Sequence, residues 1–303
     1  MRLGWTGGRK LRGTENRTPL AAETLAPALA PGRLNMSGML SYPDVFLIFA
    51  CARYPKYGAE MGNVLADAYE TYSENLRLVL VFSIPFIIAF AIPLLAPLPT
   101  FIAAGGTFLR TASIFVNPDL VGLAVIVASM IFSLLFLSLA FVGISLIVRA
   151  RKTHVAVGKR ALKDIEKYVG RVFAVLLAYA LLLLAANILG YMAGVQGPAT
   201  ALAGFFGFAV IFYVPSAIVV DNKRIGRAVR DSVRLVFHAP QYYLLWLFLL
   251  AAVITLADAF FIFVAGTAWS GFIVLIATSV LILPYFVILQ AESYMKRFAL
   301  LTH

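Results

Sequence analysis

Six long apolar stretches decide what this chain can fold into. They lie near Leu76 to Ala96, Leu120 to Val148, Val169 to Gly190, Thr200 to Val220, Tyr242 to Phe263 and Trp269 to Leu289. Each reaches the about 20 apolar residues that a helix needs to cross hydrocarbon. A soluble fold could not bury so much: 62% of the 303 residues are hydrophobic and 13% charged, against roughly half and about a quarter in soluble domains. A bilayer core offers no water to backbone groups, so each stretch must satisfy its own amides and carbonyls as a helix. The expectation is therefore an all-α fold, a polytopic six-helix transmembrane bundle. Pro85, Pro93, Pro215 and Pro284 fall inside the stretches. They predict bends, because neighbouring segments can satisfy the carbonyls that proline frees.

The basic residues orient the bundle. A net charge of +11 suggests nucleic acid in a soluble chain, but in one this apolar the first explanation is membrane topology. With six spans, every one of the 25 Lys and Arg except Arg110 falls on the same side. They cluster before the first stretch, from Arg149 to Arg171, from Lys223 to Arg234, and at Lys296 and Arg297. The positive-inside rule makes that side cytoplasmic. The localisation expected is a cell membrane, multi-pass, with both termini in the cytoplasm. The partners expected are the lipid bilayer and its anionic headgroups, with a membrane protein as a further candidate and no nucleic acid.

Three regions follow along the chain. Residues 1–38 lack any helical or strand period and read as a disordered extension, with Met36 and Met39 as the expected native start; the sequon at Asn16 falls in it by chance. Residues 39–75 read as an interfacial and amphipathic cytoplasmic segment, in which Val45 to Ala52 is too short to span. Residues 76–303 form the six-span domain. The single cysteine, Cys51, excludes a disulfide framework.

Each cytoplasmic segment leading into spans 1, 3 and 5 carries an amphipathic helical period. Met61, Val64, Leu65, Ala68, Tyr72 and Leu76 share a face in the first, and Ala161, Leu162, Ile165, Val169 and Val172 in the second. Ile225, Ala228, Val229, Ser232, Val233 and Val236 form the third, with Arg227, Arg230 and Arg234 off it. Helix, span, short loop, span then reads as a unit used three times. Asp221 and Asn222 are expected to cap the third helix, since side-chain oxygens there satisfy orphaned amides.

The run Val214-Pro215-Ser216-Ala217-Ile218-Val219-Val220-Asp221, followed by Ala228 to Leu235 and a span, carries a resemblance, as does Tyr72-Ser73-Glu74-Asn75 before span 1. Over roughly Asp67 to Leu300 the chain resembles a group of prokaryotic six-span proteins. That group includes the membrane domain found beside some glycerophosphodiester phosphodiesterases. The resemblance implies fold and topology, and transfers no activity.

Little chemistry is spelled out in the residues. Phosphate loops, dinucleotide fingerprints, zinc-protease signatures and nucleophile elbows are all missing from the sequence. No catalytic residue, metal ligand or cofactor is therefore expected. His154, His238 and His303 are scattered, too few for a metal centre. Asp258 is the one acid well inside an apolar run, about 24 Å along its helix from Tyr242 at 1.5 Å per residue, and Asn187 reaches a similar depth in span 3. With Arg110, the lone cation on the far side, they form one candidate polar site; bonding to interfacial water or to neighbouring helices is the alternative. Arg160, Lys163, Lys167, Arg227, Arg230 and Arg234 are candidates for contact with anionic lipid, unless they only fix orientation. The leading reading is a non-enzymatic membrane protein that organises lipid or a partner protein at the cytoplasmic face. A transporter or permease component for a neutral or lipid-like substrate is the alternative, with an intramembrane enzyme third.

Overall fold

The computed structural model describes residues 55–95, 100–103, 106–109, 120–153 and 159–301. The proposed start at Met36 or Met39, the Asn16 sequon, Val45 to Ala52 and Cys51 lie outside them. Within the described residues six helices are long and apolar enough to cross a membrane. These are span 1, Leu76–Leu95; span 2, Leu120–Arg151; span 3, Ile165–Met192; span 4, Gln196–Val220; span 5, Pro240–Gly266; and span 6, Trp269–Lys296. The six-helix bundle expected from hydropathy is present.

The helices run α1 (Pro55–Glu74), α2 (Leu76–Leu95), α3 (Leu120–Thr153), α4 (Lys159–Met192), α5 (Gln196–Ile211), α6 (Val214–Val220), α7 (Ile225–His238), α8 (Pro240–Ala277) and α9 (Leu283–Leu301). A π-helical turn, Thr278–Ile282, joins the last two. One small β-hairpin stands between spans 1 and 2: β1 (Thr100–Ala103) pairs antiparallel with β2 (Gly106–Leu109), Phe101 opposite Phe108. Thr107 Oγ1 anchors it by donating to the Phe90 carbonyl at 3.0 Å. Consecutive spans pair as hairpins 1–2, 3–4 and 5–6, and span 2 also packs on span 3. Gly266, at φ 73° and ψ 171°, makes the reversal between spans 5 and 6, a conformation open to glycine without a Cβ penalty.

The spans meet most tightly at one end. Ile144 to Val148 of span 2, Phe212 to Val219 of span 4 and Phe286 to Met295 of span 6 are all buried, whereas the far half of span 5 has no fully buried residue. Aromatic rings fill this core: Phe212 packs edge-on against Trp246 at 5.0 Å, Trp246 against Phe286 at 5.4 Å, and Phe286 against Tyr285 at 5.8 Å. The same end carries Arg149, Arg151, Lys223, Lys296 and helices α1 and α7, and is called the basic end below.

Three of the four span prolines meet a physical answer. Pro93 has no N–H for the Ala89 carbonyl, and Ser133 Oγ on span 2 donates to that carbonyl at 2.6 Å. Pro284 frees the Val280 carbonyl; the π turn widens the helix there, and Ser83 Oγ on span 1 lies 3.4 Å from that oxygen. Ser83 also donates to Val79 O at 2.7 Å, so its one hydrogen is shared. Ahead of Pro215, span 4 breaks at Phe212 and Tyr213, and the released Tyr213 N–H donates to Ser232 Oγ of α7 at 3.0 Å. The bends expected in spans 4 and 6 are thus real interruptions, while α2 continues through Pro85 and Pro93.

Candidate functional site

Helix α7 is built with two dissimilar faces. Ala228, Ser232, Leu235 and Val236 are buried against span 4, while Arg227, Arg230 and Arg234 are exposed. Phe237, 74% exposed, stands beside those arginines, because a helix advances 100° per residue and position 237 returns to the angle of 230. Ile225, placed on the apolar stripe by sequence, is exposed instead. It opens the helix, before the stripe meets span 4.

What fixes α7 is a polar cluster centred on Lys223. Its Nζ pairs with Asp231 Oδ2 at 2.9 Å and Asp221 Oδ2 at 3.1 Å, and donates to the Tyr294 hydroxyl at 3.0 Å. Tyr294 in turn donates to Asp221 Oδ2 at 2.6 Å. One lysine therefore ties together the end of span 4, helix α7 and span 6. The expectation that Asp221 and Asn222 cap α7 is corrected here. The residue at the N-cap is Arg224, without a side-chain cap. Asp221 is spent on Tyr294 and Lys223, and Asn222 takes a left-handed φ of 51° that turns the chain out of span 4, a conformation asparagine tolerates better than most residues. Asn222 Oδ1 accepts from Arg171 at 3.3 Å. Nearby, Arg149 donates to the Tyr168 hydroxyl at 2.8 Å and to the Val219 carbonyl at 3.1 Å.

A second cluster fixes α1. Val64 and Ala68 are buried, Leu65 and Tyr72 pack against the core, and Tyr72 meets Tyr285 edge-on at 5.9 Å. Burial raises the Tyr72 phenol above its ordinary pKa. Leu76, the last member of that expected stripe, is exposed. From span 2, Arg151 pairs with Glu70 at 2.7 Å and Glu74 at 3.7 Å, and donates to the Thr71 hydroxyl and to the Asp67 carbonyl. From span 6, Lys296 pairs with Asp67 at 2.6 Å, and Glu292 Oε1 accepts from Thr71 at 3.0 Å. Glu292 is only 6% exposed. Hydropathy ended span 6 at Leu289 and so missed Glu292. The turns beyond Leu289 are polar in sequence, and are buried because α1 lies over them.

The residues singled out from sequence fall as follows. Asn187 Oδ1 accepts from Gln196 at 3.0 Å and its amide donates to Thr200 Oγ1 at 3.3 Å, tying together the 3–4 hairpin. Asp258 is half-buried on span 5. Among the described residues no hydrogen bond or ion pair joins the two, and Arg110 lies outside those residues. Lys167 is exposed, like the three α7 arginines; the side chains of Arg160 and Lys163 lie outside the described set. His238 Nδ1 contacts Arg234 O at 2.8 Å, and His154 and His303 are not among the described residues. Among those described, no three His, Cys, Asp or Glu side chains converge as for a metal ion.

Six apolar membrane-length helices define an integral, multi-pass membrane protein of the helical-bundle class. No family model, curated protein or solved structure matches the chain.

Proposed function

We propose that the chain is a non-enzymatic membrane protein that gathers anionic lipid at its basic end, and that this end is the cytoplasmic face of the cell membrane. The observation that carries the proposal is α7. One side of that helix is locked into the bundle by Ser232 and the Lys223 cluster, and the other presents Arg227, Arg230, Arg234 and Phe237. A rigid basic face with an exposed ring suits headgroup charge above and an apolar insertion below. Each cation near a charged membrane surface contributes about 1 kcal/mol. The Tyr72 to Asn75 run and the Pro215, Asp221 and Ser232 pattern support kinship with prokaryotic six-span proteins. In this chain Tyr72, Glu74, Pro215, Asp221 and Ser232 serve the bends and clusters above.

The test replaces Arg227, Arg230 and Arg234 together by Gln. At about 1 kcal/mol each, affinity for dioctanoyl phosphatidylglycerol should fall roughly 100-fold, and the parent's affinity should weaken with salt. Native mass spectrometry of the purified protein with phosphatidylglycerol and phosphatidylcholine reads both. Unchanged anionic enrichment in the triple variant would remove lipid from the proposal and leave a protein partner for the same face.

A second reading has its own support. Span 4 is interrupted at Phe212 and Tyr213 and span 6 at Thr278–Ile282, and interrupted spans are a recurrent feature of transporters. Carriage of a neutral or lipid-like substrate would appear as protein-dependent flux in vesicles; a silent vesicle assay with labelled lipid would count against it.

A further inference from the structure

Among the described residues Glu292 is the one acid that is buried, 6% exposed at the basic end of span 6. Within those residues its carboxyl has a single hydrogen-bond partner, Thr71 Oγ1 of α1 at 3.0 Å, and no ion pair. A carboxylate sealed from water with one hydrogen bond is costly to keep charged. We propose that Glu292 is a proton-binding site that fastens α1: its carboxyl carries a proton while α1 is seated and releases it when α1 lifts.

The hydrogens at Thr71 fit a protonated Glu292. The single hydroxyl hydrogen of Thr71 has two acceptors in reach, Asp67 O at 2.8 Å and Glu292 Oε1 at 3.0 Å, and serves one at a time. With a proton on Glu292 the second contact reverses: the carboxyl donates to Thr71 Oγ1, and Thr71 donates to Asp67 O. Arg151 also donates to Thr71 Oγ1, so both lone pairs and the hydrogen of that hydroxyl are used. The surrounding charges leave no place for a further anion. Asp67, Glu70 and Glu74 of α1 already share Arg151 of span 2 and Lys296 of span 6, three acids against two cations before Glu292 is counted. Helix α6 and the π turn, also packed on α9, carry no ionisable side chain, and span 5 brings to this end only the phenols of Tyr242 and Tyr243. Tyr294, about 200° around the helix from Glu292, belongs to the Asp221 and Lys223 cluster. Lifting α1 lets water reach the carboxyl, which then ionises as an ordinary glutamic acid does, near about pH 4.3. Below that pH both states hold the proton and Glu292 has no leverage. Above it opening releases a proton and is favoured by up to about tenfold per pH unit, until the seated carboxyl also ionises. The open state bares Arg151 and Lys296.

Amide deuterium exchange of residues 61–74 reads the opening of α1. The full chain is placed in phosphatidylcholine nanodiscs, and each exchange rate is divided by that of the free peptide at the same pH. In the parent this ratio should rise about tenfold or more between about pH 5 and pH 8. Glu292→Gln leaves an amide that donates to Thr71 as the protonated carboxyl does, and should hold α1 seated and flatten the profile. Glu292→Met, close in size and without charge, should flatten it too. Every other titrating group is common to the three proteins, so the difference between profiles belongs to Glu292. The infrared difference between parent and Gln variant should contain the carbonyl band of a protonated carboxyl, fading over the pH range in which α1 opens. Unchanged exchange at Phe212 to Val219 of span 4 reports an intact bundle. A parent profile shared by both variants, faster opening of the Gln variant than of the parent at pH 5, or a difference spectrum without that band overturns the proposal. The infrared titration of the parent alone decides if neither variant folds: with no protonated-carboxyl band fading as α1 opens, the proposal falls.

Discussion

Replacing Lys223 by Met tests how α7 is held. The change keeps the length of the side chain and removes its charge and three polar contacts, at 2.9, 3.0 and 3.1 Å. Fully exposed ion pairs contribute about 0.2–1 kcal/mol, and breaking a fully buried one costs about 3–5 kcal/mol because a charge is stranded. Lys223 is 17% exposed, and Asp221 and Asp231 are 27% and 25% exposed. Water therefore reaches the stranded carboxylates in part, and a cost of about 2 kcal/mol follows by interpolation. Since the cluster joins α7 to spans 4 and 6 without being the whole bundle, this cost should fall on local opening of α7. Every 1.4 kcal/mol is a factor of ten, so the open population should rise roughly 30-fold. Arg227, Arg230 and Arg234 are exposed trypsin sites on α7 that folded helix protects. Cleavage there follows the open population when reclosing is fast, so its initial rate in detergent micelles should rise by a similar factor. Adding Asp231→Asn to Lys223→Met should cost less than the sum of the single changes, because the second removes a charge that the first has stranded. A rate within twofold of the parent would refute the argument and leave the apolar stripe and the Tyr213–Ser232 hydrogen bond to hold α7.

Two further outcomes follow from the packing. Ser133→Ala leaves the Ala89 carbonyl unpartnered beside Pro93 and should destabilise the bundle by about 1 kcal/mol in detergent unfolding; in a Pro93→Ala background, where Pro93 is replaced by a residue with an N–H, the same change should be nearly silent. Gly143→Ala would put a Cβ 2.3 Å from Cδ1 of Phe82, so a loss of about 1–3 kcal/mol is expected, recovered in large part by Phe82→Ala, and an additive double variant would show that the ring moves aside freely.

Much of the bundle was legible because hydrophobic length is a local property. Spans 1 to 5 lie close to their expected places, and the stripe from Ala228 to Val236 lies against span 4 with the basic residues outward. The polar clusters were hidden because they are long-range: Lys223 and Tyr294 are 71 residues apart, as Thr71 and Glu292 are 221. Asp258 drew attention by sitting deep in an apolar run and is half-buried, whereas Glu292 sits past the end of the expected apolar stretch at Leu289 and is nearly sealed. Depth along a span is countable from sequence; coverage by a separate helix such as α1 is not. Asp221 and Asn222 misled for a related reason. Their position suited a cap, but the hydroxyl of Tyr294 competes for the Asp221 carboxylate from another span, and the local rule yields.

The serines beside the prolines have a consequence for assembly. Two greasy helices in oil slide past each other at little cost, since one apolar contact replaces another and water takes no part. A carbonyl unroofed by proline exists at a single height. Ser133 can meet Ala89 O, and Ser83 can approach Val280 O, in one vertical stagger only; a slip of a single turn would shift them by about 5.4 Å and leave both acceptors facing hydrocarbon. Spans 1, 2 and 6 thus carry their own depth marks, cut by the prolines and read by the serines.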